Sequence, residues 1–210
     1  MKIHRVILSA LAAIAVALPA AAQNTTAADA FKSAPRNVVP LIEPSTRLDM
    51  IDYFNAGSDK ASRNTLYGNS RITELTPERI VIEATAATTI EMVALPAGSD
   101  TIIAVITTRA TPVPDSKVTL WTSAWENVTS RSFKEPDIAD WLTPGAGRDA
   151  VESALPFMLV SCSYDPATKT FTFTNRSMEF IGEEVYEPLK PLLRETLAYG
   201  WDGRRLALRK

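Results

Sequence analysis

Histidine is almost absent from this 210-residue sequence: the chain has one, His4, in a segment that we expect to be removed. Without histidine the remaining chain has no Ser-His-Asp or Cys-His catalytic set. A zinc site of the H-E-x-x-H type and a facial triad are excluded for the same reason. Carboxylate, hydroxyl, lysine, arginine or tyrosine chemistry and oxygen-ligated cations remain open, but no motif for them is present, so we expect no cofactor and no metal.

Cysteine is equally scarce, since Cys162 is the only one. The chain therefore forms no intrachain disulfide, and thiolate clusters and iron–sulfur sites are excluded. Cys162 shares one face of an apolar strand with Met158, Val160 and Tyr164. This pattern predicts a buried small hydrophobe and not a reactive thiol.

An excess of positive charge is also lacking. The sequence has 22 lysine and arginine residues against 24 aspartate and glutamate residues, with no run rich in basic residues. The basic footprint of a nucleic-acid-binding protein is absent, so we expect no nucleic acid among its partners. The basic residues between Arg204 and Lys210 are interpreted as a solvated edge.

The first 22 residues have the layout of a cleaved secretory signal. Lys2 and Arg5 give a basic start, Val6–Leu18 is an apolar run, and a small-residue stretch ends at Ala22. An apolar core of about 13 residues is too short to span a bilayer. We therefore expect cleavage near Ala22, a mature chain of residues 23–210 without a membrane span, and a periplasmic or secreted location.

A helix is predicted in the N-terminal part of the mature chain. Ser45 is a suitable cap and Gly57 a natural stop. Leu48, Ile51 and Phe54 recur at a helical spacing, with Met50 four residues before Phe54, and these residues are expected to form the buried face.

From Ser70 onwards the hydrophobic period falls to two, which is typical of strands. Ile102–Ile106 is apolar at every position, which predicts an interior strand covered on both faces. Asp165–Thr168 is expected to be the turn of the clearest hairpin. The predicted strands are residues 71–75, 79–84, 89–95, 102–106, 117–123, 157–164, 169–174, 196–201 and 205–209.

Between and after these strands the pattern is less regular. Residues 125–147 are interpreted as a long loop with one short helix at 137–142. A helix capped by Ser177 is expected to continue until Pro188 and Pro191 break or bend it. The whole predicts an α+β fold: a single domain, mainly antiparallel sheet, with short helices near the N- and C-termini.

Three tryptophans form a candidate binding surface. Trp121, Trp125 and Trp141 lie within 21 residues of one another. Exposed aromatic rings can stack on the apolar faces of sugars or anchor a protein partner. The alternative is that these rings fill the core and cover its edge, as most large aromatic side chains do.

Three carboxylates form the candidate for catalysis. Glu135, Asp137 and Asp140 cluster near Trp141 in the irregular segment. A glycosidase needs two carboxyl groups about 5 to 9.5 Å apart. The alternative is that they are solvated loop residues.

Several segments together resemble a known family. They are residues 46–54, 95–108, 112–116 and 156–166. They are similar to secreted proteins of about this length from Bacteroidales, which form a domain family of unknown function. The resemblance covers nearly all of the mature chain and implies export and a single domain, but no assigned activity, ligand or site. It also implies that Asp100-Thr101-Ile102 can be an O-glycosylation acceptor, with a strand start as the alternative.

These observations leave two hypotheses of different kinds, and a third, a folding or assembly accessory without a small-molecule ligand, which the sequence does not separate from the first. The first is an exported, non-catalytic envelope protein that binds a protein or glycan partner through its sheet or through the Trp121–Trp141 region. The second is a carboxylate-dependent hydrolase that acts on a glycan, with the Glu135, Asp137 and Asp140 segment as its candidate site.

Overall fold

The computed structural model describes residues 24–209, and the predicted signal peptide lies outside the described residues. The helices are α1 (Ala27–Ser33), α2 (Pro44–Asn55), α3 (Thr129–Ser132), α4 (Ile138–Trp141), α5 (Arg148–Ala154), α6 (Ser177–Ile181) and α7 (Glu183–Tyr186). The strands are β1 (Ser62–Arg63), β2 (Asn69–Leu75), β3 (Arg79–Thr85), β4 (Thr88–Ala97), β5 (Asp100–Arg109), β6 (Asp115–Thr122), β7 (Val160–Asp165), β8 (Thr170–Asn175), β9 (Thr196–Trp201) and β10 (Leu206–Leu208).

Strands β1 to β6 form a meander, in which each strand pairs antiparallel with the next one along the chain. Short connections make this order possible, because antiparallel neighbours need only a tight turn. One example is the link between β4 and β5, where Gly98 adopts a positive φ of 65°. Apolar and polar residues alternate in β3, and every second residue of the strand is buried.

Strand β5 is covered on both faces, as its sequence predicts. Ile103 and Val105 belong to a core shared with α1 and α2. Ile102, Ala104 and Ile106 belong to a second core on the opposite face. Because successive side chains of a strand point to opposite faces, a continuously apolar strand needs a cover on each side.

The second cover is a four-stranded antiparallel sheet with the order β10-β9-β8-β7. The predicted hairpin is confirmed in β7 and β8, with Cys162 opposite Phe173 and Tyr164 opposite Phe171. Phe133, Phe173 and Tyr199 pack their rings 4.9 to 5.9 Å apart, and this aromatic cluster lies in the core between the two sheets.

Side chains of the first sheet occupy the free edge of β7. The backbone N–H of Val160 donates to Asp115 Oδ1 at 3.1 Å, and that of Cys162 donates to Ser116 Oγ at 2.9 Å. A third backbone bond, from Tyr164, reaches the Glu91 carboxylate. The two sheets are therefore joined through side chains that accept hydrogen bonds, and each sheet keeps its own ladder of backbone hydrogen bonds.

The predicted face of the N-terminal helix was wrong at its start. Glu43 precedes the first turn of α2, Pro44 occupies that turn, and Ser45 does not cap the helix. Leu48 is half exposed, whereas Arg47, Met50 and Ile51 are buried. The buried face of α2 begins with Arg47, a charged residue that the spacing of hydrophobic residues does not detect.

Two further local predictions need correction. The expected single helix after Ser177 is divided at Gly182, whose φ of 87° ends α6 and starts α7. The segment predicted as loop with one helix also holds α3, and α5 follows it. The predicted fold class is confirmed: the chain is α+β, mainly antiparallel sheet with short helices.

Arg47 ties the N-terminal segment to α2. Its buried guanidinium donates to the carbonyl oxygens of Ile42 at 2.9 Å, Val39 at 3.2 Å and Phe31 at 3.3 Å, and also to that of Ala34. Burial lowers the pKa of Arg47, although Glu43 opposes this effect. The side chain therefore acts as a multiple donor that satisfies carbonyl groups at the end of α1 and in the following turns.

We expect Arg47→Met to lower the free energy of unfolding by about 3 kcal/mol or more, because several buried carbonyl oxygens lose their donor at once. Urea unfolding followed by circular dichroism measures this loss. Arg36→Met is the matched control: Arg36 makes an exposed ion pair with Glu43, so its loss should cost less than about 1 kcal/mol. Equal effects of the two substitutions would contradict the assigned role of Arg47.

Candidate functional site

Trp121 and Trp125 form a pair on the helical side of the six-stranded sheet. Their ring centroids are 6.1 Å apart and the planes are inclined by 54°. Both indole N–H groups are engaged, Trp121 Nε1 with Thr119 Oγ1 at 2.9 Å and Trp125 Nε1 with Ser33 Oγ at 3.1 Å. Both rings pack against the core beneath α1 and α2, so the pair holds the end of α1 against β6.

Trp141 lies elsewhere. Its side chain is only 1% exposed and belongs to the core between the two sheets. The structure therefore brings Trp121 and Trp125 together but not Trp141, because the six-stranded sheet separates the two cores. The three predicted residues do not form one surface in this arrangement.

Asp137 and Asp140 stabilise a helix start. Asp137 Oδ1 accepts the N–H of Ala139 at 2.9 Å, and Asp140 Oδ2 accepts the N–H of Asp137 at 3.0 Å, which is a capping box for α4. Lys134 also pairs with Asp137 at 2.7 Å, and this bond lowers the pKa of the carboxyl group. Both carboxylates are used locally, and the structure does not direct them at a common cavity.

Glu135 lines a cleft between the sheets, near the start of β7. The cleft has a volume of about 530 Å³. Its apolar wall is made by Ile138, Trp141, Leu155, Phe157, Met158, Val160 and Phe173. A concave site with an apolar wall and a few polar groups is the usual form of a binding site. We therefore take this cleft as the candidate functional site.

Two more carboxylates join Glu135 in this cleft, and sequence reasoning missed both. Asp115 opens β6 and Glu152 lies on α5, so no local spacing connects them. Glu152 pairs with Arg148 at 2.7 Å, and Asp115 accepts the Val160 N–H. Glu135 takes part in none of the ion pairs found within residues 24–209.

Two phenylalanines at the cleft are exposed. Phe157 is 53% exposed and Phe180 is 47% exposed, and their ring centroids lie 5.8 Å apart. Phe157 also lines the cleft. The pair therefore extends the apolar wall of the cleft out onto the surface of α6. The sequence predicted a strand at Phe157 and a helix face at Phe180, without indicating that the two would meet.

A second cavity, of about 440 Å³, lies near the other end of β7. Leu95, Pro96 and Trp201 form part of its wall, and Trp201 Nε1 donates to Pro96 O at 2.7 Å. Glu78 accepts hydrogen bonds from the Tyr164 hydroxyl and the Lys169 ammonium group. Burial, reinforced by Glu78, raises the pKa of Tyr164. These polar groups are paired with one another, so they connect the two sheets.

A partly buried ion cluster lies on the inter-sheet face of the first sheet. Arg79 pairs with Glu91 at 2.6 Å and also contacts Glu74. Burial raises the pKa of Glu91 despite this partner. At Arg79 burial acts in the opposite direction, but its bonds to the two carboxylates outweigh it and raise the pKa. The charged form is therefore disfavoured at Glu91, the more buried partner, and favoured at Arg79.

Two other candidates have structural roles. Cys162 is buried, as predicted, and burial raises the pKa of its thiol. Thr101 is the second residue of β5 and is only 3% exposed, and its hydroxyl accepts the Thr25 N–H at 3.2 Å. Addition of a glycan to Thr101 in the folded chain would have to displace this contact.

Within the described residues no three histidine, cysteine, aspartate or glutamate side chains group as metal ligands. In the same part of the chain, no helix is long and apolar enough to cross a membrane.

The fold and cleft define the class: an α+β protein in which a six-stranded meander carries helices on one face and a smaller antiparallel sheet on the other. The chain belongs to the family described as "Protein of unknown function (DUF3256)", whose family model matches residues 19–206. The resemblance drawn from the sequence to an uncharacterised family is thereby confirmed.

Among solved structures, the chain is similar to a domain of an uncharacterized protein from Porphyromonas gingivalis W83. The identity is 23% and the TM-score is 0.74, with 87% of this chain and 96% of that chain covered. This likeness shows the shared fold. None of the curated proteins matches the chain.

The raised pKa of Glu91 predicts how the stability of the folded chain depends on pH. Its raised pKa means that the folded chain holds this proton more tightly than the unfolded chain. Protonated Glu91 therefore stabilises the folded chain fully below pH 4.5, and this stabilisation is lost as the pH rises through the raised pKa of Glu91. We expect Glu91→Gln, which stays neutral, to gain stability relative to wild type between about pH 4 and pH 7. Urea unfolding at both pH values measures the difference.

Glu83→Gln is the control, because its stability relative to wild type should fall as the pH rises. The bond from Arg71 lowers the pKa of Glu83, so the contribution of Glu83 grows as the pH rises, and the glutamine variant loses it. A Glu91→Gln variant whose stability relative to wild type stayed constant or fell over this range would contradict the assignment.

Proposed function

We propose that this protein is an exported, non-catalytic binding protein of the cell envelope, and that a protein partner binds at the inter-sheet cleft and the adjoining Phe157–Phe180 pair. The exposed phenylalanine pair at the mouth of a concave site is the observation that carries this proposal. Large exposed aromatic side chains are unfavourable in water and are enriched where partners bind.

A protein fits this site better than a glycan does. The indole rings suited to sugar stacking, Trp121 and Trp125, pack on the helical core, and their N–H groups are bonded within the chain. The rings at the cleft are phenylalanines, which offer apolar area but no hydrogen bonds for sugar hydroxyls.

The alternative function, a carboxylate-dependent glycan hydrolase, has one observation in its favour. Asp115, Glu135 and Glu152 line a single cleft. However, Glu152 is engaged with Arg148 and Asp115 with a backbone N–H. A glycosidase needs one free general acid and a second carboxylate that acts as base or nucleophile. Of these three carboxylates, only Glu135 has neither an ion pair nor a hydrogen bond with another residue of the range 24–209.

Capture from the organism's own envelope extract tests the binding proposal. We expect the mature chain to enrich a defined protein, and the double substitution Phe157→Ser with Phe180→Ser to lose it, because the apolar contact is removed. The measurement is quantitative mass spectrometry of the captured proteins with each form of the chain as bait.

Leu48→Ser with Leu66→Ser is the matched control, because both leucines are exposed and neither lines the cleft. This variant should retain the partner. Enrichment that survives loss of the phenylalanine pair, or release of sugar from envelope glycans by the purified chain, would contradict the proposal.

The proposed export makes a separate prediction. The chain recovered from the envelope fraction should begin at Gln23, because the apolar run Val6–Leu18 and the small residues before Gln23 form a signal-peptidase substrate. Intact-mass measurement and N-terminal sequencing test this. Recovery of the full-length chain in the cytosol would overturn the proposed location.

A further inference from the structure

Exposed apolar side chains lie at the cleft and on the two short helices that follow β8. Eight large hydrophobic side chains of the described residues are strongly exposed, and four of them are Phe157, Met178, Phe180 and Val185. Phe157 follows α5, and the other three lie on the adjoining short helices α6 and α7. Phe157 and Phe180 lie in contact, with ring centroids 5.8 Å apart, and we call this pair the apolar patch. An exposed aromatic pair of this kind on a folded protein marks an interaction surface.

The surroundings of the apolar patch are strongly acidic. Helices α6 and α7, with the residue that follows them, carry Glu179, Glu183, Glu184 and Glu187. The cleft beside the patch adds Asp115, Glu135 and Glu152.

Only part of this negative charge is neutralised. Arg176 pairs with Glu179, Lys190 with Glu187, and Arg148 with Glu152. Asp115, Glu135, Glu183 and Glu184 take part in none of the ion pairs formed inside residues 24–209. The surface is therefore apolar at its centre and carries an excess of negative charge around it.

We propose that the partner is a basic polypeptide segment whose apolar side chains cover the apolar patch while its lysine or arginine side chains face the surrounding carboxylates. This inference rests on the proposed function and names the chemistry of its partner. Opposite charge around an apolar centre increases the association rate and selects the partner, while the apolar contact supplies affinity. Arginine and lysine can also lie over the faces of the phenylalanine rings.

The same charge argues against the other occupants of an exposed apolar patch. A symmetric dimer would place this acidic surface against itself, since a two-fold interface uses the same patch on both subunits. Anionic lipid headgroups attract basic surfaces, not acidic ones, and nucleic acid carries negative charge as well. A basic polypeptide is the occupant whose charge complements the surface.

Synthetic amphipathic peptides test this inference on the purified mature chain. The probe has leucine on one helical face and lysine on the other, and its two twins carry glutamate or serine in place of lysine. Isothermal titration calorimetry at low salt measures binding. We expect the lysine peptide to bind about tenfold or more tightly than either twin, a difference of about 1.4 kcal/mol.

Substitutions separate the apolar contribution from the charged one. Phe157→Ser with Phe180→Ser should weaken the lysine peptide about tenfold or more. Glu183→Gln with Glu184→Gln should weaken it about threefold or more and leave the serine peptide unchanged. Asp49→Asn with Asp52→Asn, an exposed acidic pair on α2, is the matched control and should change neither.

Each result bears on a different statement. If the serine or glutamate twin binds as well as the lysine peptide, and the phenylalanine variant weakens it, the basic chemistry is wrong and the proposed binding site remains. If lysine-peptide binding is unaffected by the phenylalanine variant, the proposed site is wrong too. Binding that all three variants share, and that salt abolishes, is non-specific attraction and overturns the inference. Should the double variant fail to fold, the single substitution Phe180→Ser replaces it, with a smaller expected loss.

Discussion

The hydrogen bonds along the free edge of β7 determine how the two sheets lie relative to each other. One edge of β7 pairs with β8, and N–H groups on the other edge are accepted by side chains of Asp115, Ser116 and Glu91. The bond from the Cys162 N–H is buried. Because a buried N–H without an acceptor costs about 1–3 kcal/mol, a shift of the second sheet along the first would cost stability there. Because the acceptors belong to β4 and β6, they also fix where the sheets diverge: the cleft lies near the start of β7 and the second cavity near its end.

The two faces of the six-stranded sheet are stabilised by different means. On the helical face, Arg47 and the Trp121–Trp125 pair hold α1 and α2 in place, and the indole N–H groups are bonded within the chain. On the opposite face, polar contacts such as Glu91–Arg79 and Glu78–Lys169 lie beside an aromatic core. Glu91 is the buried member of these contacts, whereas Lys169 is exposed. The cleft lies on this second face.

Much of the fold could be predicted from the sequence, because its strands are identified by patterns that extend over a few neighbouring residues. Alternating residues identify β3, the continuous apolar run of β5 predicts a cover on both sides, and the turn at Asp165–Thr168 predicts the hairpin of β7 and β8. The errors arose where a decisive contact is not encoded by spacing. Arg47 is buried because its acceptors are backbone carbonyl groups, which leave no pattern in the sequence.

The candidate site was predictable only in part for a related reason. Glu135 was recognised in the sequence, but Asp115 and Glu152 reach the same cleft from β6 and α5, and only the tertiary structure shows it. Phe157 and Phe180 are of a residue type that is usually buried. Both are exposed. Phe180 lies on α6, which ends at Gly182, and Phe157 lies in the irregular chain before β7. Hydrophobic periodicity describes neither of these local structures.

The recognition of backbone by Arg47 has a consequence for how this protein can change over evolution. Its guanidinium contacts carbonyl oxygens at Phe31, Ala34, Val39 and Ile42, and every amino acid supplies a carbonyl group. Substitutions at these four positions therefore leave the acceptors in place, provided that the packing is kept. An insertion or deletion between Phe31 and Arg47 would move them out of reach. Length, more than residue identity, is the inherited constraint on this segment.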